Sequence, residues 1–339
     1  MKKRNPILGG LLIAALVLLA TELLIAMPRA FEWHPFDYGN YVAMGRAVRQ
    51  GINPYTLPHS FYPLPTILWI FVPLSLLPDW FRFTWILIPF ISILLLFQTQ
   101  GIWLFLFAPV WFALGDGMLD GVLLLPLAWL LSKRAKWTAL GAAILLFKPH
   151  VAILPLLYCM AQWCVKRDWT NIRIFSSLVA LFMLPAFLLN PAWPLEMIQA
   201  LGARADQNLA TVPLLTSSLW AWWWLGGMAQ FVFLILSSAT GVVVWQAIRQ
   251  EGNRSSMLQL LNLLWLPVLF ASSLILAIPT LRGRNQILIV VLLSWGAFLL
   301  DRAIGGFGGG YALIPLVALY FQTRRPAVME PERVQSFAS

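Results

Sequence analysis

An all-α polytopic membrane protein is the fold class that the sequence predicts, and three observations predict it. Of the 339 residues, 60% are hydrophobic and 11% are charged, and the mean hydropathy is +0.79, outside the range of soluble domains. Apolar runs such as Pro6 to Met27, Met228 to Ile248 and Met257 to Ile278 approach or exceed the roughly 18 residues that cross a hydrocarbon core. Short basic clusters punctuate the runs, at Lys2-Lys3-Arg4, Lys133-Arg134-Lys136, Lys166-Arg167 and Arg249 to Arg254. Lipid offers a backbone amide no partner, so the crossings are expected to be helices.

The net charge of +10 is explained by those clusters. The positive-inside rule accounts for them, and no nucleic-acid partner is implied. The first apolar run exceeds the about 7–15 residues of a signal-peptide core, so it is expected to be a retained anchor with a cytoplasmic N-terminus. Residues 28–81 then form a first outer loop. Within it, Asp37 to Gln50 reads as a helix, with Asp37 near its start and Gly51 as its stop. Tyr38, Tyr41, Val42 and Val48 share one side, the pattern of a helix lying in the membrane interface. Pro63 to Leu77, bracketed by Pro63, Pro65, Pro73 and Pro78, is expected to be a short membrane-dipping helix.

Crossings follow at Arg82 to Phe97, Ile102 to Leu114 and Met118 to Leu131. Trp137 to Trp163 lies between two basic clusters and must cross an even number of times, which predicts a hairpin of two short helices with its tip at Lys148-Pro149-His150. Ile174 to Leu189 exits, residues 190–227 form a second large outer loop, and Met228 to Ile248 re-enters. Met257 to Ile278 is read as one exiting span, which places Arg282-Gly283-Arg284 outside. Gln286 to Leu300 and Tyr311 to Phe321 would then carry Arg324-Arg325 outward, against the charge rule. The expected total is about ten or eleven spans in one domain, residues 1–325, with residues 326–339 a short disordered tail. Gly305 to Gly310 is the one low-complexity patch.

Several polar residues stand out against this background. Asp37 either caps its helix or carries chemistry at the membrane surface. Asp116 and Asp120 fall on the second outer turn, on the same expected side as Asp37. Asp116 also reads as a cap for a helix beginning near Met118, whereas Asp120, one turn further in, is harder to explain that way. Lys148 sits between two apolar runs, where an unpaired ammonium would cost about 2.5–3.5 kcal/mol. It either snorkels to the surface or holds a phosphate. Arg282 and Arg284 are either surface residues or partners in the same anion clamp. Cys159 and Cys164, five apart on one span, face different directions and read as packing residues. His34, His59 and His150 are scattered, and no metal site is expected.

The order Asp37, Tyr41, Gly51-Ile52-Asn53-Pro54-Tyr55 and Phe61-Tyr62-Pro63-Leu64-Pro65 resembles glycosyltransferase family 87, the polyprenyl-phosphate-mannose-dependent mannosyltransferases. The resemblance continues through Gly115-Asp116-Gly117, where the family usually has Gly-Gln-Asn, and Phe147-Lys148-Pro149, where it has Lys-Pro at a hairpin tip. It covers about the first 150 residues and thins beyond Ala200. Near Ile278-Pro279 the family often carries Ser-Pro and a His pair, and this chain has Arg282, Arg284 and Asn285 instead.

This resemblance implies a GT-C-type helical bundle with a catalytic acid in the first outer loop. It also implies a hexose, mannose by analogy, moved from a polyprenyl-phosphate donor to a lipid or glycan acceptor on the outer face of a bacterial inner membrane. Asp37 would be the general base of an inverting transfer. Lys148, Arg282 and Arg284 would hold the donor phosphate, and Tyr41, Tyr55, Tyr62, Asp116, Asp120 and His150 would line the substrate site. No cofactor or metal is expected. Nor is a nucleotide pocket, since neither Gly-x-Gly-x-x-Gly nor a Walker-type loop occurs. The alternative is a lipid or sugar transporter or flippase without transferase activity.

Overall fold

The computed structural model describes residues 36–53, 55, 64–132, 135–208, 216–249 and 254–323. The expected first span, Tyr62 and the tail lie outside these residues. Every regular element among the described residues is helical. In chain order they are α1 (Phe36–Arg49), α2 (Leu68–Leu74), α3 (Phe81–Phe97), α4 (Ala108–Asp116), α5 (Leu124–Leu131), α6 (Ala135–Leu145), α7 (Ile153–Val165), α8 (Trp169–Leu189), α9 (Trp193–Asn208), α10 (Trp220–Trp224), α11 (Met228–Arg249), α12 (Arg254–Trp265), α13 (Arg284–Ile304) and α14 (Leu313–Thr323).

Short 3-10 stretches join several of them, the longest being Gln98–Leu106 and Ala271–Thr280. Four helical segments are long and apolar enough to cross a membrane: Phe81–Leu106, Trp169–Leu188, Met228–Gln246 and Arg284–Ile304. The chain is therefore an α-helical membrane protein.

These long segments are mostly uncovered by the rest of the chain. Only 11% to 28% of the residues in their apolar windows are buried. Leu181, Leu184 and Leu188 on α8, Phe231 and Ile235 on α11, and Leu292 and Leu299 on α13 are exposed large apolar side chains, as expected of lipid-facing walls.

The interior is built from the short elements instead. Leu123, Leu124 and Leu127 around the start of α5, Ala139 and Ala142 on α6, Leu260 and Leu263 on α12, and Leu274 to Ile278 are all fully buried. A helix of about ten residues is roughly 15 Å long, so each of these reaches only part of the way across a hydrocarbon core of about 30 Å.

The first outer loop folds as its sequence suggests. α1 begins with Asp37 in its first turn, where a carboxylate suits the helix dipole, and is followed by Gly51 in the left-handed region at φ +75°. α1 packs against α2. Gly45 makes this possible, because a Cβ there would collide with the Phe71 carbonyl and press on Ser75. Tyr41 stacks on Phe71 at 4.4 Å between centroids, and Tyr38 meets Trp85 of α3 edge-on at 6.0 Å.

Three expectations need correcting. Residues 190–227 are not simply a loop, since they contain α9 and α10. Asp116 does not cap a helix at Met118: it is the last residue of α4, and the Leu119–Gly121 turn has no side-chain cap. Met257 to Ile278 is not one span. It breaks after Trp265 at Leu266-Pro267, because proline lacks the N–H that would continue the helix and disfavours helical backbone before it. The chain then turns and runs back as the Ala271–Thr280 helix.

That reversal sets the order of the two ends of the bundle. Leu154 N–H donates to Asn262 Oδ1, and Cys159 of α7 lies beside Ser255, so α7 and α12 run antiparallel. The Arg254 end of the bundle therefore also carries Lys166 and Arg167. Gln322 Nε2 of α14 donates to the Thr280 carbonyl at 2.6 Å, which brings Arg282 and Arg284 to this same end.

Replacing Gly45 by Ala is expected to destabilise the α1–α2 contact by about 1–3 kcal/mol. Gly39→Ala, with nothing within 4 Å of the added Cβ, is the control and is expected to leave stability unchanged or slightly raised. Thermal unfolding of the detergent-solubilised protein, compared between the two variants, checks this.

Candidate functional site

The second outer turn is assembled by backbone geometry. Gly117 ends α4 in the left-handed region at φ +67°, and Met118 N–H closes back onto the Ala113 carbonyl at 2.9 Å, a Schellman-type stop. Trp85 Nε1 donates to the Gly117 carbonyl at 3.0 Å, tying the turn to α3 and, through Tyr38, to α1. Gly121 fits only because it has no side chain, since a Cβ would run into the Pro89 ring. Asp120, held between these contacts, is completely buried.

Its carboxylate is met by residues from two distant segments. Lys148 Nζ donates to Asp120 Oδ2 at 2.7 Å, and Ser273 Oγ donates to the same oxygen at 3.0 Å. Asp120 Oδ1 is buried with no hydrogen-bond partner. The Lys148 side chain keeps 20% of its surface accessible, so the pair sits just beneath the surface of the bundle. Burying both charges costs several kcal/mol each, and only this close geometry offsets it. Snorkelling is thus not the whole account of Lys148, because its ammonium turns to a carboxylate.

The hairpin tip that carries Lys148 is held from α12. Asn262 Nδ2 donates to the His150 carbonyl at 2.9 Å while its Oδ1 accepts from Leu154 N–H at 3.2 Å, and Gln259 Nε2 donates to the Val151 carbonyl at 3.1 Å. These amides satisfy the backbone of a Pro149–Ala152 turn that has no helical ladder of its own. His150 is itself exposed. Met118 and Ser272, the neighbours of Asp120 and Ser273, are joined by a Ser272 Oγ to Met118 Sδ contact and line a cavity of about 220 Å³ that opens at this end.

The remaining expected site residues divide. Asp37 is half-buried in the first turn of α1 and lies on the Asp120 side through the Tyr38–Trp85–Gly117 chain of contacts, but it is not among the residues lining that cavity. Tyr41 is engaged in packing on Phe71. Asp116 ends α4.

Tyr55 is half-buried beside a polar cluster in which Glu196 Oε2 accepts from Asn53 Nδ2 at 2.7 Å and from Asn190 Nδ2 at 2.6 Å. Burial and, second, the Glu196 carboxylate push the Tyr55 phenol above its ordinary value, so it stays a donor. Glu196 thereby fastens the first outer loop to the start of α9.

Arg282 and Arg284 do not join Lys148. Ser273 and Thr280 are separated by roughly 14 Å at about 2 Å per residue of 3-10 helix, and the arginines lie beyond Thr280. Arg284 instead lays its guanidinium over the Trp103 ring, 5.5 Å from the centroid. The expected three-cation clamp is therefore not formed.

Sequence reading missed Ser273, Asn262, Gln259 and Glu196. Gln259 and Asn262, three apart in an apolar segment, carried a usable signal, since amides entering a membrane core call for partners. Both cysteines are free thiols, Cys159 buried and Cys164 exposed. Among the described residues no group of His, Cys, Asp and Glu is arranged to hold a metal ion.

No protein-family model matches this chain, and no curated protein or solved structure matches it.

Asp120→Ala and Lys148→Ala are each expected to lower stability by about 3–5 kcal/mol, because each strands a buried charge. The double variant is expected to lose clearly less than the sum of the two. Denaturant unfolding of the four proteins in micelles measures the coupling, and strictly additive losses would contradict the pairing.

Proposed function

We propose that the protein is a membrane glycosyltransferase that moves a hexose from a polyprenyl-phosphate donor to a lipid or glycan acceptor at the extracytoplasmic face. The observation that carries the reading is the buried Asp120–Lys148–Ser273 cluster at one end of the bundle. An ammonium fixed by a carboxylate beneath the surface has two further N–H donors for a phosphate oxygen. Asp120 positions that ammonium. Its location at an end of the bundle suits a lipid headgroup better than the midplane site expected of a transporter.

The basic residues orient this end. Lys166, Arg167, Arg254, Arg282 and Arg284 gather at the opposite one, and the positive-inside rule assigns theirs to the cytoplasm. With Met257 to Ile278 folded back on itself, the charge rule also holds for Arg324-Arg325, which follow Gln322.

Support from the sequence is the Asp37 to Pro65 motif and the Lys-Pro hairpin tip that resemble the family-87 mannosyltransferases. In this reading Asp37, on the same side as Asp120, takes the proton from the acceptor hydroxyl as it attacks the anomeric carbon. The polyprenyl phosphate then leaves from the opposite face of the sugar, with inversion.

Incubating the purified protein with a radiolabelled polyprenyl-phosphate mannose and bacterial envelope lipids is expected to give labelled product. Asp37→Asn is expected to reduce the transfer rate by about 100-fold or more. Equal transfer by the two proteins would remove Asp37 as the base. Movement of intact donor across vesicles without any transfer would favour a flippase.

A further inference from the structure

The cavity at the Asp120 end has walls that phosphate chemistry does not use. Asp301 reaches it from the last turn of α13, Ser217 from the segment before α10, and Tyr311 from the turn before α14, while Phe112 and Phe270 supply aromatic surface. Gly306, at φ +99°, is part of the wall, in the glycine-rich Gly305 to Gly310 stretch that links α13 to α14. This stretch holds close turns. A Cβ on Gly309 would strike the Phe307 ring, and one on Gly310 would press on Leu300.

The polar atoms on these walls are unmatched. Ser217 is fully buried and Tyr311 is 1% exposed, yet neither hydroxyl has a hydrogen-bond partner. An orphaned buried hydroxyl costs about 1–3 kcal/mol, so both are poised for a ligand. Asp301 forms no ion pair among the described residues, and its position at a helix C-terminus runs against the dipole. Burial and the nearby Asp301 carboxylate hold the Tyr311 phenol above its ordinary value, so it remains a donor.

These groups select a ligand class. A carboxylate with no cation on the lining disfavours an anion, and an apolar ligand would leave three polar groups unpaired. One carboxylate and two hydroxyls fall short of the oxygen set that a hard divalent cation takes. A neutral polyol ring satisfies both kinds of wall, with hydroxyls for Asp301, Tyr311 and Ser217 and a C–H face for the aromatic rings. The volume of about 220 Å³ is below the roughly 300–1,000 Å³ of drug-sized pockets and suits a single ring.

The geometry points to this cavity as a binding site for a neutral sugar ring, with Asp301, Tyr311 and Ser217 as the hydroxyl-reading groups. It deepens the transferase reading by making a neutral glycan the acceptor, and rests on that reading for the acceptor role alone.

The test uses the full chain in detergent micelles and methyl α-D-mannopyranoside as the probe, with binding read by saturation-transfer NMR and by titration calorimetry. Saturable binding is expected, weakened at least about tenfold by Asp301→Asn and by Tyr311→Phe. Tyr311→Phe removes one oxygen and keeps the ring, so its unchanged thermal midpoint separates binding from folding. The methyl glycoside of glucuronic acid is expected to bind at least about tenfold more weakly than the mannoside.

No saturable binding by the wild type, unchanged binding in both variants, or equal binding of the uronate would overturn the assignment. Because binding is read without turnover, the two readings fail separately. Glycoside binding through Asp301 in a chain that transfers no sugar keeps the cavity and removes the transferase. Sugar transfer by a chain whose variants bind normally does the reverse.

Discussion

A carboxylate enclosed by hydrocarbon-like side chains is stable only with a partner, and Asp120 sets this requirement at the centre of the fold. Satisfying it draws together three segments far apart in the chain: the turn after α4, the hairpin tip between α6 and α7, and the start of the returning 3-10 helix. The rest of the architecture keeps these segments in place. Asn262 and Gln259 hold the tip, Trp85 holds the turn, and the missing side chain of Gly121 lets the turn settle against Pro89. A removed partner would leave a charge with nowhere to go, which is why this cluster is costly to disturb.

The division between long, lipid-facing helices and short, buried ones follows from what each must satisfy. A long apolar helix closes its own backbone hydrogen bonds and needs nothing from its neighbours. A short one leaves its ends open inside the structure, so amides and hydroxyls must be supplied from elsewhere. The buried polar side chains of α12 and the segment around Thr216 to Ser218 do this. Thr216 Oγ1 accepts from Leu269 N–H at 2.9 Å, and Trp222 Nε1 donates to the Gly309 carbonyl at 2.9 Å.

Much of this was legible in the residues. The α1 helix with its Gly51 stop, the proline-bounded α2, the Lys148 hairpin tip, and α3, α8, α11 and α13 follow from hydropathy, proline and glycine placement, and charge parity. Met257 to Ile278 misled because an apolar run of the right length reads as one crossing, and Pro267 was the residue to weigh against it. That single misreading also put Arg282 and Arg284 at the wrong end. Asp120 and Lys148 were singled out separately because each was expensive alone. Their pairing was not readable, since it depends on how far each turn descends into the bundle. Ser273 and Glu196 are ordinary residues in sequence and gain meaning only from the segments that fold onto them.

The break at Pro267 has a bearing on how the chain is made. Neither α12 nor the 3-10 helix after it is long enough to be a stable insert by itself, and α12 carries amides that lipid would not solvate. The two halves can enter only together, as a closed hairpin, and only once earlier helices offer Val151 and His150 as hydrogen-bond partners. Biogenesis of this bundle is therefore ordered: the amino-terminal two thirds must already be assembled before its core can be completed.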